Sequence, residues 1–219
     1  MNELAPPPPD SAQAVFGARL ELAEHFASWL ADAGTVRGLI GPREVPRLWE
    51  RHLLNCAVVQ EALPREARVA DLGSGAGLPG LVLAIVRPDL HLTLVEPLER
   101  RVHFLNEVVA DLALTHVEVV RGRAEELPSG RTFDVVTSRA LAPLDRLLRW
   151  SMPLVGLQGA MLAMKGSKVG DEISAATKVL RKFGCGEPRI FTVGADVLDP
   201  PTTLLEVRRT GKGRVGTPV

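Results

Sequence analysis

The chain predicts an α/β fold, a largely parallel sheet with helices on both faces and an N-terminal helical extension. Three features lead there. The glycine-rich stretch DLGSGAGLPG, residues 71–80, separates an apolar strand pattern from an apolar helix pattern. Beyond Pro64 short apolar strands alternate with helical patterns, a rhythm that buries a parallel sheet on both sides. The last two strands lack a helical pattern between them, so they are expected to pair antiparallel at one edge, joined through 194–201.

Taken in order, residues 1–10 are proline-rich and expected to be disordered. Residues 11–64 are expected to form the helical extension. Its first helix, 11–33, places Val15, Leu20, Leu22, Phe26 and Leu30 at helical spacing with Ser11 as cap, and its second, 45–63, has Pro46 near the start. The core, 65–209, then carries expected strands at 67–72, 91–96, 116–120, 133–138, 159–164, 189–193 and 204–209. Helices are expected at 78–86, 98–112, 143–151 and 170–183. The last ten residues, TGKGRVGTPV, read as a flexible tail.

A length of 219 residues with 46% hydrophobic content is enough for one well-buried core. No run of 18 apolar residues occurs, and the N-terminus has no basic region followed by a hydrophobic stretch. Neither a membrane span nor a signal peptide is therefore expected, and the cytoplasm is the expected location. Cys56 and Cys185 lie far apart with no C-x-x-C spacing and no His grouping, so no disulfide framework and no metal site is expected; both read as buried thiols. The 26 basic and 26 acidic residues balance, which argues against indiscriminate coating of nucleic acid. A local basic face remains open: Arg37, Arg43, Arg47, Arg51 and His52 precede the glycine turn, and Arg121, Arg123, Arg139, Arg146, Arg149, Lys165 and Lys168 follow it.

In open sheets of this kind ligands bind beyond the carboxyl ends of the strands. At the turn, Gly73, Gly75 and Gly77 have no Cβ, so a ligand can lie against the main chain. Two cofactors fit the spacing. Gly75-x-Gly77-x-x-Gly80 matches a dinucleotide fingerprint, and Asp71-x-Gly73-x-Gly75-x-Gly77 matches the acidic three-glycine turn of adenosylmethionine-dependent methyltransferases. Both need an acid for the ribose hydroxyls, which Glu96 supplies at the end of the second strand. After the third strand, Ala124 and Glu125 are placed to approach an adenine base.

The fourth strand delivers Ser138 and Arg139 to the point where a sulfonium methyl would face its acceptor. Enzymes that methylate exocyclic amines often carry an Asn or Asp-Pro-Pro-aromatic sequence there, and this chain reads Thr137-Ser138-Arg139-Ala140. The region also has no cysteine for covalent attack on a pyrimidine. An acceptor with its own in-plane lone pair, such as guanine N7, needs positioning instead of a base. Arg139 can orient it through its two-pronged guanidinium. Lys165 and Lys168 follow at the end of the fifth strand; taken singly, such cations also suit ion pairs with Glu125 or Asp134. Arg51, His52 and Asn55 fall within about one helical turn, a polar face expected to meet water. His52 shows no acidic or serine partner in its vicinity, so no nucleophilic triad is expected.

Taken together, RLWERHLLNC, DLGSGAGLPG, LVEPLERRVHFL, VRGRAEEL, SRALAPL and MLAMKG occur in this order, and the chain resembles the glucose-inhibited division protein B (GidB, also RsmG) family. The resemblance implies a Rossmann-like class I sheet binding S-adenosyl-L-methionine. It also implies methyl transfer to N7 of one guanine of 16S rRNA in the small ribosomal subunit, guanine 527 in the usual numbering. Implied cofactor contacts are Gly73 and Leu78 of the turn, Ala124, Glu125 and Arg139; Gly75 and Glu96 are added from the turn and ribose arguments. Arg123 and Lys165 are candidate RNA contacts beside Arg139, and a monomer is expected. Many family members carry an Arg-His pair before the final strand, where this chain has Thr202-Thr203, with Arg208 and Arg209 a few residues later. An NAD-dependent oxidoreductase, which has no second substrate domain to draw on, and a non-enzymatic nucleotide-binding protein remain the alternatives.

Overall fold

The computed structural model describes residues 5–210. The expectations for 1–4 and 211–219 lie outside the described residues. The extension runs through α1 (Asp10–Phe16) and α2 (Leu20–Trp29), then a π-wound segment, Leu30–Gly34. A tight 3₁₀ turn (Pro42–Arg47), a second π-wound segment (Leu48–Leu54), the short α3 (Asn55–Ala57) and another 3₁₀ turn (Val58–Ala62) complete it. The strands are β1 (Arg68–Leu72), β2 (His91–Glu96), β3 (Val117–Arg121), β4 (Phe133–Arg139), β5 (Val155–Met164), β6 (Arg189–Val193) and β7 (Thr202–Arg208). Between them lie α4 (Gly80–Val86), α5 (Glu99–Asp111), α6 (Leu144–Ser151) and α7 (Val169–Lys182).

All seven strands form one sheet in the order β3-β2-β1-β4-β5-β7-β6. The first five run parallel, and β7 enters antiparallel between β5 and β6. Side chains alternate between two apolar cores, as the strand period demands. Val135 and Leu162 face α4, α5 and the extension, whereas their neighbours Val136 and Met161 face α6 and α7. Phe26, Leu30, Leu48 and Leu53 of the extension share the first core with Leu81, Leu92 and Phe104, so the extension completes one face of the sheet.

Several expectations change. Segment 11–33 is not one helix: Gly17, at φ +52°, breaks it, and α1 starts at Asp10 after Pro9 with no side-chain cap from Ser11. Segment 45–63 is tightened and widened in turn. Pro46 has no N–H to give an α ladder at its start. Residues 5–9 are ordered where disorder was expected. A polyproline stretch has no internal hydrogen bonds, and here Trp49 Nε1 donates to the Pro6 carbonyl at 2.8 Å while Ala5 packs on the core. Strand β5 begins at Val155, earlier than expected, across an irregularity with Gln158 at φ +65°. Strand β7 begins at Thr202 instead of 204. Other boundaries of the core move by two residues or fewer.

Candidate active site

The strand order reverses between β1 and β4, which opens a crevice at their carboxyl ends. The glycine turn fills that position. Gly73 sits at φ +68°, a region L side chains rarely adopt, and a Cβ there would lie 2.4 Å from Leu141 Cδ1. At Gly80 the reason is close approach: a Cβ would come within 2.3 Å of Leu94 Cδ2 and 2.7 Å of Asp71 Oδ2. Backbone bonds pin the turn, with the Gly73 N–H donating to the Val95 carbonyl at 2.8 Å. The Gly80 N–H donates to Asp71 Oδ2 at 3.0 Å, and the Gly75 N–H to Glu96 Oε2 at 3.0 Å.

Asp71 is fully buried, and its Oδ1 has no hydrogen-bond partner among the described residues. Burial, helped by the nearby Glu96 carboxylate, pushes its carboxyl up to about 7 against the Gly80 N–H and the Ser74 hydroxyl. Between about pH 4 and pH 7 the folded protein then holds a proton that the unfolded chain has released, so this group's contribution to stability falls as pH rises through that window. Asp71→Asn keeps an acceptor for Gly80 and cannot ionise. Thermal unfolding of this variant without cofactor is expected to vary less with pH over that window than unfolding of the parent; an equal slope in both contradicts the assignment.

Two cavities that share Leu141 lie at the carboxyl ends of the strands, and the turn borders one of them. The smaller, about 200 Å³, is bounded by Gly73, Ala124 and Glu125, with Pro97, Leu141 and Trp150 as its apolar walls. A flat heteroaromatic ring with one polar edge suits it. Glu96, 1% exposed, lies next to the turn: Oε1 accepts from the Leu98 N–H at 3.0 Å, Oε2 takes Gly75, and Arg101 Nη1 stands 3.6 Å away. A carboxylate has about four lone-pair directions, so capacity remains for a ligand hydroxyl. Leu78 is half-buried and packs against the core of the extension, outside this cavity's lining. Arg123 is exposed at the cavity edge, and its backbone N–H is held by Glu126 at 2.8 Å.

The larger cavity, about 1290 Å³, opens at the ends of β4 and β5 and the start of β7, and Leu141 borders both cavities. Arg51, Arg139, Lys165 and Lys168 line it together with Asp171 and Glu172. Arg139 makes no ion pair with Glu125 or Asp134, the alternative the sequence left open. Its Nη2 lies 2.7 Å from His52 Nδ1, and its Nη1 donates to Cys56 Sγ at 3.3 Å. Asp134 instead accepts from the backbone and guanidinium of Arg68, at the opposite end of the strands.

Two expectations are corrected, one for His52 behind this cavity and one for Cys185, remote from it. His52 is buried and not on a solvated face, since it lies four residues after Leu48 and four before Cys56 and shares their inward side; Glu44 Oε2 stands 2.9 Å from its Nε2, the acidic partner the sequence did not reveal. Cys56 is a buried thiol, pushed up by burial, but it also supports Arg139. Cys185 is only half-buried, and desolvation still pushes it to about 11. Lys165 lines this cavity but is held in place: with a 9% exposed side chain, its Nζ bonds Glu172 at 2.7 Å and the Ala142 carbonyl at 3.2 Å. Glu172 also accepts from the Leu144 N–H at 2.9 Å, so the pair braces the loop between β4 and α6. Lys168, exposed on the same rim, has no ion pair among the described residues.

Thr202 and Thr203, which stand where the family resemblance leads to the expectation of an Arg-His pair, border the large cavity, and Thr202 Oγ1 donates to the Asn55 carbonyl at 3.2 Å. Arg208 and Arg209 do not replace that pair. Strand β7 carries Arg208 about 20 Å away to the opposite end of the strands. There Arg208 pairs with Glu206, and Arg209 donates to the Val155 carbonyl. Sequence reasoning also missed Trp150, Leu141 and Pro97 as pocket walls. Trp150, the aromatic in the last turn of α6, was the one signal available.

A seven-stranded sheet with β7 reversed, a glycine turn after β1 and an acid ending β2 define a class I S-adenosylmethionine-dependent methyltransferase fold. A dinucleotide-binding sheet would continue 3-2-1-4-5-6 without that reversed strand, which removes the oxidoreductase alternative. A solved SAM-dependent methyltransferase from Aquifex aeolicus shares the fold, with a TM-score of 0.56 at 18% identity, covering 81% of this chain and 98% of that one. The chain belongs to the GidB family, rRNA small subunit methyltransferase G, whose model matches residues 19–194. A ribosomal RNA small subunit methyltransferase G from Nocardioides sp. is 61% identical over 215 residues, 98% of this chain and 86% of that protein. The protein of the same name from Mycobacterium marinum is 55% identical over 203 residues, 91% of this chain and 89% of its own length.

Proposed function

We propose that the protein transfers a methyl group from S-adenosyl-L-methionine to N7 of a guanine in 16S rRNA, guanine 527 in the usual numbering, within the small ribosomal subunit. The observation that carries this reading is the pair of cavities at one strand switch point, divided by Leu141, with Arg139 on the wall of the larger. The smaller cavity and the adjoining turn fit the cofactor. Gly73, Gly75 and Leu78 would lie along it, Ala124 and Glu125 would meet the adenine, and Glu96 the ribose hydroxyls. Asp71 acts on the turn itself: its Oδ2 takes the Gly80 N–H and so fixes the main chain against which the cofactor would lie.

When bound, the cofactor supplies an electrophilic sulfonium methyl, whose positive charge passes to the acceptor ring. This chain's residues do the positioning. Arg139 lines the large cavity and keeps N–H groups beyond those given to His52 and Cys56, which guanine O6 or a neighbouring phosphate could accept. Arg51 and Lys168 on the rim, and Arg123 beside the smaller cavity, add positive charge for the phosphate backbone. Lys165 acts at one remove, by holding the loop that carries Leu141. No helix among the described residues is long and apolar enough to cross a membrane. The protein is proposed to act as a monomer on small ribosomal subunits in the cytoplasm.

Labelled cofactor, incubated with the protein and small subunits from a strain lacking this modification, should yield labelled 7-methylguanine in 16S rRNA. Cofactor binding with no transfer to subunits or bare RNA is the outcome expected of a non-enzymatic binding protein, and would contradict the proposal.

A further inference from the structure

The charged groups behind Arg139 form a chain that the transfer reaction does not by itself require. Glu44 Oε2 stands 2.9 Å from His52 Nε2, and His52 Nδ1 stands 2.7 Å from Arg139 Nη2. A guanidinium has donors only and stays protonated, so Nδ1 must be the acceptor. The proton of a neutral imidazole is then on Nε2 and donates to Glu44. His52 does not border the large cavity, whereas Arg139 does. Of the five N–H donors of Arg139, one meets His52 and one meets Cys56, so three remain for the cavity.

We propose that His52, with Glu44 behind it, is a positioning residue: its neutral Nε2–H form fixes the guanidinium of Arg139 so that the remaining donors face the acceptor. Burial and the adjacent Arg139 cation hold the imidazole down to about 4, against the raising effect of Glu44. Arg51, whose Nε is 3.3 Å from Glu44 Oε2, adds a second cation facing the pair, and Cys56 stays an uncharged thiol. The ring is therefore neutral at neutral pH. A protonated ring would point an N–H at a cation and release Arg139.

This inference rests on the methyl-transfer reading, and its test separates the two. The first measurement needs no substrate. Nitrogen chemical shifts of His52 in the intact protein at neutral pH should report a neutral ring protonated on Nε2; an imidazolium or a proton on Nδ1 overturns the relay whatever the enzyme does. The second compares variants of proven fold. His52→Phe, which fills the space without an acceptor, should lower kcat about 10- to 100-fold, the loss expected of a displaced orienting group, with cofactor affinity within about twofold of the parent. His52→Asn, whose side-chain oxygen can stand in for Nδ1, should recover most of that rate. In an Arg139→Ala background, His52→Phe should add no further loss. An active parent with unchanged kcat in folded His52→Phe overturns the relay alone, whereas a parent that methylates nothing overturns the function beneath it.

Discussion

Arg139→Ala is expected to lower the rate of methyl transfer by about 10² to 10³, the usual loss when one preorganised donor is removed from a reacting centre. The fold should survive. The Arg139 side chain is part-buried at a cavity wall and is held by a histidine nitrogen and a thiol. Water from the cavity can replace it there, so thermal unfolding should change little. Arg139→Lys should not restore the rate, because a single ammonium cannot hold His52 and Cys56 while also presenting a planar fork. Steady-state rates on small subunits, with cofactor affinity measured separately, check this. A rate within about threefold of the parent would remove Arg139 from the mechanism.

Phe104→Ala should cost about 3 to 5 kcal/mol of stability. Phe104 is fully buried in α5, and the Trp29 ring meets it edge-on at 5.9 Å while the Arg37 guanidinium lies 5.7 Å from its centroid. Both contacts come from the extension. Their polar ends are fastened to the same helix, Trp29 Nε1 to Asp111 at 2.7 Å and Arg37 to Glu107 at 2.6 Å. The empty ring site therefore weakens the seam between extension and sheet as well as the core itself. A midpoint lower by roughly 10 °C is expected for a chain of this size. Faster proteolysis within the extension should accompany it. A loss below about 1 kcal/mol would show that the seam is held elsewhere.

The sheet was legible because its strands are short apolar runs, whose burial on both faces follows from the helices between them. The glycine turn and Glu96 were legible for a related reason: their chemistry depends on local spacing, and the turn's main chain bonds Glu96 directly. The support of Arg139 was not. Cys56 and His52 stand 83 and 87 residues away from it in sequence, so no local pattern joins them. The burial of His52 does not follow from its polarity, although its place four residues from Leu48 and from Cys56 sets it on their buried side. Lys165 shows the converse limit. Its place at a strand end was read correctly, yet only packing decides that Glu172, seven residues on, captures it before a phosphate can.

Mass mapping of 16S rRNA after reaction with the purified protein tests the central claim most directly, since one spectrum fixes RNA, nucleotide and atom together. The account predicts a single added methyl on one guanine, at N7, present with the parent protein and strongly diminished with Arg139→Ala. A methyl on an exocyclic amine, on carbon 5 of a pyrimidine or on a ribose would contradict it, as would no methyl at all.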